Sequence, residues 1–303
     1  MGQRVAFYYP DTPDLPLPDG HRFPAMKYRL LKERAISEAV FETLELRPSP
    51  LAREAELLLA HDAAYVRAVI EGRLSHQAQR RIGIPWSEVL VTRSFATVGG
   101  AIGAARDAKR DGVSGQLAGG THHAHRDFGS GYCVFNDLAV AALALIADTT
   151  AARITILDCD VHQGDGTAAI MRDVSSVQTI SIHGAGNFPF RKVASDLDIA
   201  LTDGTGDRDY LAALDAALAA IERFGPDLLF YLSGADPLAA DRLGRLSLTA
   251  EGLEARDLAV FRYARACALP ISIAVGGGYA EPVSITVEAY LATFRAAKAV
   301  YGF

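Results

Sequence analysis

The apolar runs in this sequence are short, unbroken and each closed by a polar or glycine cluster. That rhythm narrows the fold more than any other feature. Residues 154–157, 177–182, 228–232 and 271–275 read as buried strands. Helical spacing separates them. Residues 137–147 form an Ala/Leu helix, 210–224 close on Gly225-Pro226, 249–267 form a third helix, and a last one begins at Pro282. Continuous apolar strands alternating with helices predict an α/β fold: a single, predominantly parallel sheet flanked by helices on both faces. Half of the 303 residues are hydrophobic, so a core of that size can be buried. No repeat, low-complexity tract or long linker divides the chain, and 1–303 is expected to be one domain.

Upstream the pattern is coarser. Residues 5–9 read as a short strand, after which Pro10, Pro13, Pro16 and Pro18 impose an extended, irregular stretch. Residues 26–46 show helical spacing at Leu30, Leu31, Val40, Phe41 and Leu44. Ser49 before Pro50 predicts a helix start, and Asp62 is placed to cap a helix through Ile70. Residues 94–109 read as a helix carrying Gly99, Gly100 and Gly103. Glycine lowers helix propensity, so close packing is the expected reason for it there. A short run at 116–118 ends on glycines.

Composition excludes several classes. The formal net charge is -6, which leaves no global basic footprint for nucleic acid, although it does not decide whether a local basic patch exists. Three cysteines without a Cys-x-x-Cys pair do not make a disulfide framework. The chain starts without a secretory pattern, and no apolar stretch reaches about 18 residues, so no membrane partner and a cytoplasmic location are expected.

Chemistry gathers where the strands end. The run at 116–118 leads into Gly119-Gly120-Thr121-His122-His123. Residues 154–157 lead into Asp158-Cys159-Asp160-Val161-His162, 228–232 into Gly234-Ala235-Asp236, and 271–275 into Gly276-Gly277-Gly278-Tyr279. In a parallel sheet these ends share one edge, where ligands of open α/β sheets bind. Asp158, Asp160 and His162 alternate with Cys159 and Val161, which puts the polar groups on one face. Carboxylates and an imidazole so placed call for a cation between them. Asp160, His162 and Asp236 match the three protein ligands of a catalytic zinc site, although Asp-x-Asp-x-His by itself also fits a hydrogen-bonded surface turn. His122 and His123 are candidate acid–base groups if a carboxylate orients each; paired histidines also serve simply as core hydrogen-bond partners. Asp158 and Asp165 are the nearby acceptors. Gly277 and its neighbours let backbone approach a ligand, and the Tyr279 hydroxyl can donate to an oxyanion. The plain alternative is a glycine-rich turn with an ordinary aromatic.

The segments GGTHHAHRDFGSGYCVFND at 119–137, ILDCDVHQGDGTA at 156–168, SGADPLAADRLGRLSLT at 233–249 and AVGGGY at 274–279 together resemble the histone deacetylase superfamily. Its acetoin-utilisation-type and acetylpolyamine amidohydrolase relatives are included. The opening GHRFPAMKYRLL at 20–31 is similar to the class IV branch and its bacterial relatives. The resemblance implies the arginase–deacetylase fold and one catalytic zinc on Asp160, His162 and Asp236. It implies His122 and His123 as tandem catalytic histidines backed by Asp158 and Asp165, with Tyr279 polarising the amide carbonyl. Tyr132 and Phe188 match the aromatic walls of an acyl-lysine tunnel, with Gly131 beside them and Gly277 near the substrate. A structural potassium would draw on Asp158, Asp160, His162, Ser181 and Ile182, partly through backbone oxygens. Lys27 falls where the family places a basic residue near an internal channel. Cys159 and Tyr132 depart from the usual aliphatic and phenylalanine residues.

The activity so implied is hydrolysis of N-acyl amides, with acyl-lysine or another acylated amine, acetylpolyamines included, as substrate. An arginase-like binuclear ureohydrolase and a non-catalytic acyl-lysine binding module are the rivals. Metal counting would separate the first and a turnover assay the second.

Overall fold

The computed structural model describes residues 5–41 and 46–303. In chain order its elements are β1 (Phe7–Tyr9), α1 (Lys27–Ser37), β2 (Leu46–Pro48), α2 (Glu54–Leu57), α3 (Ala63–Ile70), α4 (His76–Ile82), α5 (Glu88–Asp111), β3 (Val113–Gln116) and α6 (Asp137–Ala147). They continue with β4 (Ile154–Asp158), α7 (Asp165–Met171), β5 (Val177–Gly184), β6 (Leu197–Leu201), α8 (Asp207–Phe224), β7 (Leu228–Leu232), α9 (Ala250–Ala266), β8 (Ile271–Ala274) and α10 (Ser284–Tyr301). The strands form one eight-stranded sheet in the order β2-β1-β3-β8-β7-β4-β5-β6. Its pairings are parallel.

Strand side chains alternate between two cores. Leu157, Leu229 and Tyr231 face a cluster that includes Leu31, Leu214, Val260 and Phe294, from α1, α8, α9 and α10. Ile154, Ile156, Leu228 and Phe230 face the other cluster, with Ile102 and Leu138 from α5 and α6. Period-two geometry explains why these strands are apolar throughout: both faces are covered.

The glycines of α5 mark close approaches. A Cβ on Gly99 would sit 2.0 Å from the Pro50 carbonyl oxygen, and one on Gly100 would sit 2.5 Å from the Ser49 hydroxyl. Three expectations for the first third of the chain need correction. Helix α1 ends at Ser37, where Ala39 takes φ 52° and the Val40 N–H turns back to the Ala35 carbonyl. Leu46, read as helical, opens edge strand β2, and Leu44 lies outside the described residues. Ser49-Pro50 does not start a helix. Residues 49–53 run without helix up to α2, at whose start the Arg53 N–H donates to Glu56 Oε2 at 2.7 Å. Asp62 does stand at the N-cap of α3, but its side chain makes no cap bond. No helix among the described residues is long and apolar enough to cross a membrane.

Candidate active site

Strands β3, β8, β7 and β4 are neighbours, and the chain leaves the carboxyl end of each into one of the four polar segments. Beyond β4 the alternation persists. Cys159 and Val161 are fully buried in the apolar cluster, while Asp160 and His162 turn the other way. Asp236 comes from the loop after β7. The ligand atoms of Asp160, His162 and Asp236 lie within 4.8 Å of one another, and all three side chains are buried. His162 Nδ1 is 3.0 Å from Asp160 Oδ1 and 3.1 Å from Asp236 Oδ2.

Charge explains why this group suits a cation. Burial, then the charge of Asp160, pushes the Asp236 carboxyl up to about 7. Burial opposes protonation of His162, but hydrogen bonds to Asp160 and Asp236 outweigh it and push the imidazole up to about 10. Two carboxylates and one imidazole crowded together in this way are a suitable donor set for a divalent first-row metal.

The tandem histidines stand beside this group. His122 Nδ1 lies 2.6 Å from Asp158 Oδ2, and His123 Nδ1 lies 2.7 Å from Asp165 Oδ1. A carboxylate only accepts, so each Nδ1 carries the proton and each Nε2 is left for chemistry. The two environments differ. Burial, then the neighbouring His122, pushes His123 down to about 4. Burial also disfavours charge on His122, but the charges of Asp158 and then Asp160 outweigh it, pushing it up to about 9. Asp165 additionally meets His125 Nε2 at 3.0 Å.

Tyr279 faces the same space. Its ring centroid is 6.3 Å from that of His162 and 5.9 Å from that of Tyr132. Burial, then the charges of Asp160 and Asp236, pushes the phenol well above its ordinary range, so it stays a hydrogen-bond donor. Gly277 touches two members of this group: its N–H donates to Asp160 Oδ2 at 2.5 Å, and a Cβ there would sit 1.9 Å from Asp236 Oδ2. Tyr132 and Phe188 line one mouth of about 590 Å³ with His123, His162 and Tyr279. The Phe188 ring stands edge-on to His123 at 4.9 Å. Gly131 fits between them, because a Cβ there would meet His123 at 2.5 Å and Phe188 at 3.3 Å. Asp158 lies opposite Ser181 in the β4–β5 ladder, followed by Ile182, and the Ser181 hydroxyl is 3.0 Å from His183 Nδ1. Lys27 is buried behind Tyr279. Its Nζ donates to the Gly278 carbonyl at 3.2 Å and the Tyr290 hydroxyl at 3.0 Å, and lines a small cavity of about 70 Å³ with Arg93, Tyr279 and His122.

Several positioning residues escape a reading of local sequence. Asp137 gathers the Gly120 N–H at 3.0 Å and the Thr121 N–H at 2.8 Å, fixing the loop that carries both histidines. Asp241 accepts the Tyr279 N–H at 2.6 Å. Arg256, buried on α9, donates to the Cys159 carbonyl at 3.3 Å and the Gly234 carbonyl at 2.7 Å, tying together the segments that carry Asp160 and Asp236. Its own charge is matched by buried Asp257 at 2.9 Å. Arg256→Met should therefore lower unfolding free energy by about 3–5 kcal/mol, the usual cost of stranding one member of a buried pair. Urea unfolding measures this. A midpoint shift worth less than about 1 kcal/mol at constant m-value would remove Arg256 from this bracing role.

Comparison with known proteins agrees with this architecture. Two crystal structures superpose on nearly the whole chain. One, of an HDAC homolog complexed with SAHA, has a TM-score of 0.82, 22% identity and coverage of 99% of this chain and 84% of that one. The other, of the HDA15 HD domain, has a TM-score of 0.80, 22% identity and coverage of 98% and 90%. The fold is therefore the arginase–deacetylase fold. A family model described as histone deacetylase domain matches residues 21–294, and the chain belongs to the histone deacetylase family. An uncharacterized protein of Picosynechococcus sp. is 42% identical over 97% of this chain and 98% of its own length. The histone deacetylase-like amidohydrolase of Pseudomonas aeruginosa is 30% identical over 88% of this chain and 74% of its own. Histone deacetylase 2 of Arabidopsis thaliana is 34% identical over 60% of this chain and 48% of its own length.

Proposed function

We propose that the chain is a zinc-dependent deacylase that hydrolyses N-acyl amides, with an acyl-lysine of a peptide or protein as its substrate class. The observation that carries this reading is the pair of histidine–aspartate dyads beside the buried Asp160–His162–Asp236 group. A divalent ion held by those three residues would supply Lewis-acid polarisation of the amide carbonyl and acidify a water. His123, held neutral and oriented by Asp165, accepts the water's proton at Nε2. His122, whose protonated form the Asp158 carboxylate favours, returns a proton from Nε2 to the departing amine nitrogen. Tyr279 donates its hydroxyl hydrogen to the carbonyl oxygen as negative charge develops there. Tyr132 and Phe188 grip the aliphatic stem, and Gly131 leaves room for it. A structural potassium at Asp158, Asp160, His162, Ser181 and Ile182 belongs to the same reading; the register that sets Asp158 beside Ser181 supports it.

A single ion is favoured over a binuclear centre. Asp158 is engaged by His122, and Asp160, His162 and Asp236 are the one such cluster among the described residues. Exhaustive chelation should abolish hydrolysis of acetyl-lysine peptides, and zinc at one equivalent should restore it. Full activity in verified metal-free protein would overturn the proposal. Two tightly held ions per chain would favour the ureohydrolase chemistry, and binding of acyl-lysine without turnover would favour a recognition module.

A further inference from the structure

The rim of the mouth carries a charge pattern that the acyl-amide chemistry does not require. Arg22, Arg80, Arg81 and Arg245 line it, and no aspartate or glutamate does so among the described residues. The chain as a whole has a net charge of -6, so this local excess runs against its composition. Both aromatic walls are flanked by guanidinium groups. On the Tyr132 side, the Gly131 N–H donates to the Arg81 carbonyl at 3.2 Å and the Tyr132 N–H to the Ile82 carbonyl at 2.7 Å, which fixes the end of α4 against that wall. His21, next to Arg22, reaches the Gly83 carbonyl at 2.9 Å on the same side. On the Phe188 side, a Cβ on Gly186 would lie 3.0 Å from the Arg245 guanidinium.

Two of these arginines are already engaged. Arg81 stacks over Phe128 at 4.5 Å, and Arg245 pairs with Asp203 at 3.1 Å. Arg22 and Arg80 are exposed and have no ion-pair partner among the described residues. Phe190 stands 84% exposed at the same mouth. A mouth of about 590 Å³ is wider than one lysine stem needs and leaves room for the flanking chain.

We infer that the rim selects acyl-lysines whose neighbouring residues in the peptide are acidic. The inference rests on the deacylase reading and names its substrate class. Guanidinium forks match carboxylates bidentately, and unpaired ones give up no existing partner on binding. The same rim repels lysine-rich flanks and the ammonium groups of an acetylpolyamine. Rim charges act mainly on partner choice, encounter rate and salt dependence.

The test uses zinc-loaded protein and three labelled peptides, each with a central acetyl-lysine flanked on both sides by Asp/Glu, by Gln or by Lys. Binding is read by fluorescence anisotropy and hydrolysis by kcat/KM. The acidic peptide should bind about tenfold tighter than the lysine-flanked one at ~50 mM salt, and the gap should close as salt rises. The double variant Arg22→Glu, Arg80→Glu should reverse that order, and Arg22→Gln, Arg80→Gln should level it. Both positions are exposed, and thermal unfolding checks that each variant is folded. Equal or tighter binding of the lysine-flanked peptide by the parent protein overturns the inference. So does free Nε-acetyl-lysine matching the acidic peptide, since its single carboxylate would then suffice. The two readings fail separately. Charge-selective binding without hydrolysis sinks the deacylase reading alone, and hydrolysis without charge preference sinks this one alone.

Discussion

Asp236→Asn should empty the metal site and take turnover with it, while leaving the metal-free fold intact. Asp236 is fully buried, and its Oδ1 accepts the Val161 N–H at 2.8 Å. An asparagine carbonyl can keep that bond, which leaves its NH₂ group, a donor, where the second carboxylate oxygen faces the proposed ion. Replacing a charged ligand by a donor should cost more than the roughly 10–100-fold in metal affinity that loss of an outer partner costs. In the metal-free protein the charge itself is unfavourable. Burial and the neighbouring Asp160 raise the Asp236 carboxyl from 3.8 to about 7. The folded state therefore holds an extra proton between those two values. This carboxyl's contribution to stability falls as pH rises through that window and stays unfavourable above it. Asparagine carries no such charge but also takes from His162 one of the two carboxylates that hold its proton, so the two effects oppose and at pH 8 the metal-free variant should unfold close to the metal-free parent. Zinc at ~100 times its Kd should stabilise the parent by about 2.7 kcal/mol and the variant by far less. Metal per chain, thermal unfolding with and without zinc, and kcat are the measurements. A variant that keeps one tightly bound zinc and near-parental kcat would remove Asp236 from the ligand set.

What could be read in the sequence was set by physical range. Strand β7 and helix α6 are apolar runs bounded by glycine, proline or a capping residue, and β4 is one that ends on the polar Asp158, so local patterning suffices to place them. The four strand ends could be brought together without coordinates because parallel topology puts them on one edge. Elements with weak local signals were missed. Helix α4, His-Gln-Ala-Gln-Arg-Arg-Ile, has little apolar periodicity and buries only its last residue, Ile82. Strand β6 is an edge strand that alternates half-buried and exposed residues. The contacts that hold the site were invisible for a different reason. Arg256 lies 97 positions from Cys159, and Asp241 lies 38 from Tyr279, and nothing in the local spacing connects them. A buried arginine on an otherwise amphipathic helix was the available signal, but burial itself cannot be seen in a sequence. The arginine rim was hidden in the same way: its members come from three separated segments, and net charge averages them away.

Tyr279→Phe tests the chemistry rather than the scaffold. The ring is held by its surroundings, with Lys27 Nζ 5.0 Å from its centroid and Tyr132 packed 5.9 Å away. The backbone is held independently, by the bond from the Tyr279 N–H to Asp241. Phenylalanine keeps all of these contacts and removes only the hydroxyl, so metal content and thermal stability should match those of the parent. What it removes is a donor that burial keeps protonated beside His162. That donor is worth most when charge has built up on the carbonyl oxygen and little when the amide is neutral. The loss should therefore fall on kcat, with KM near its parental value. Removal of one oxyanion donor typically lowers turnover by about 10²–10³. A drop of that size at unchanged zinc content would place Tyr279 at the reacting carbonyl. Near-normal kcat would take it out of the mechanism and leave the two histidines and the metal to account for the rate. Loss of zinc together with activity would instead make it a support for the Gly276-Gly277-Gly278 turn, whose central N–H donates to Asp160.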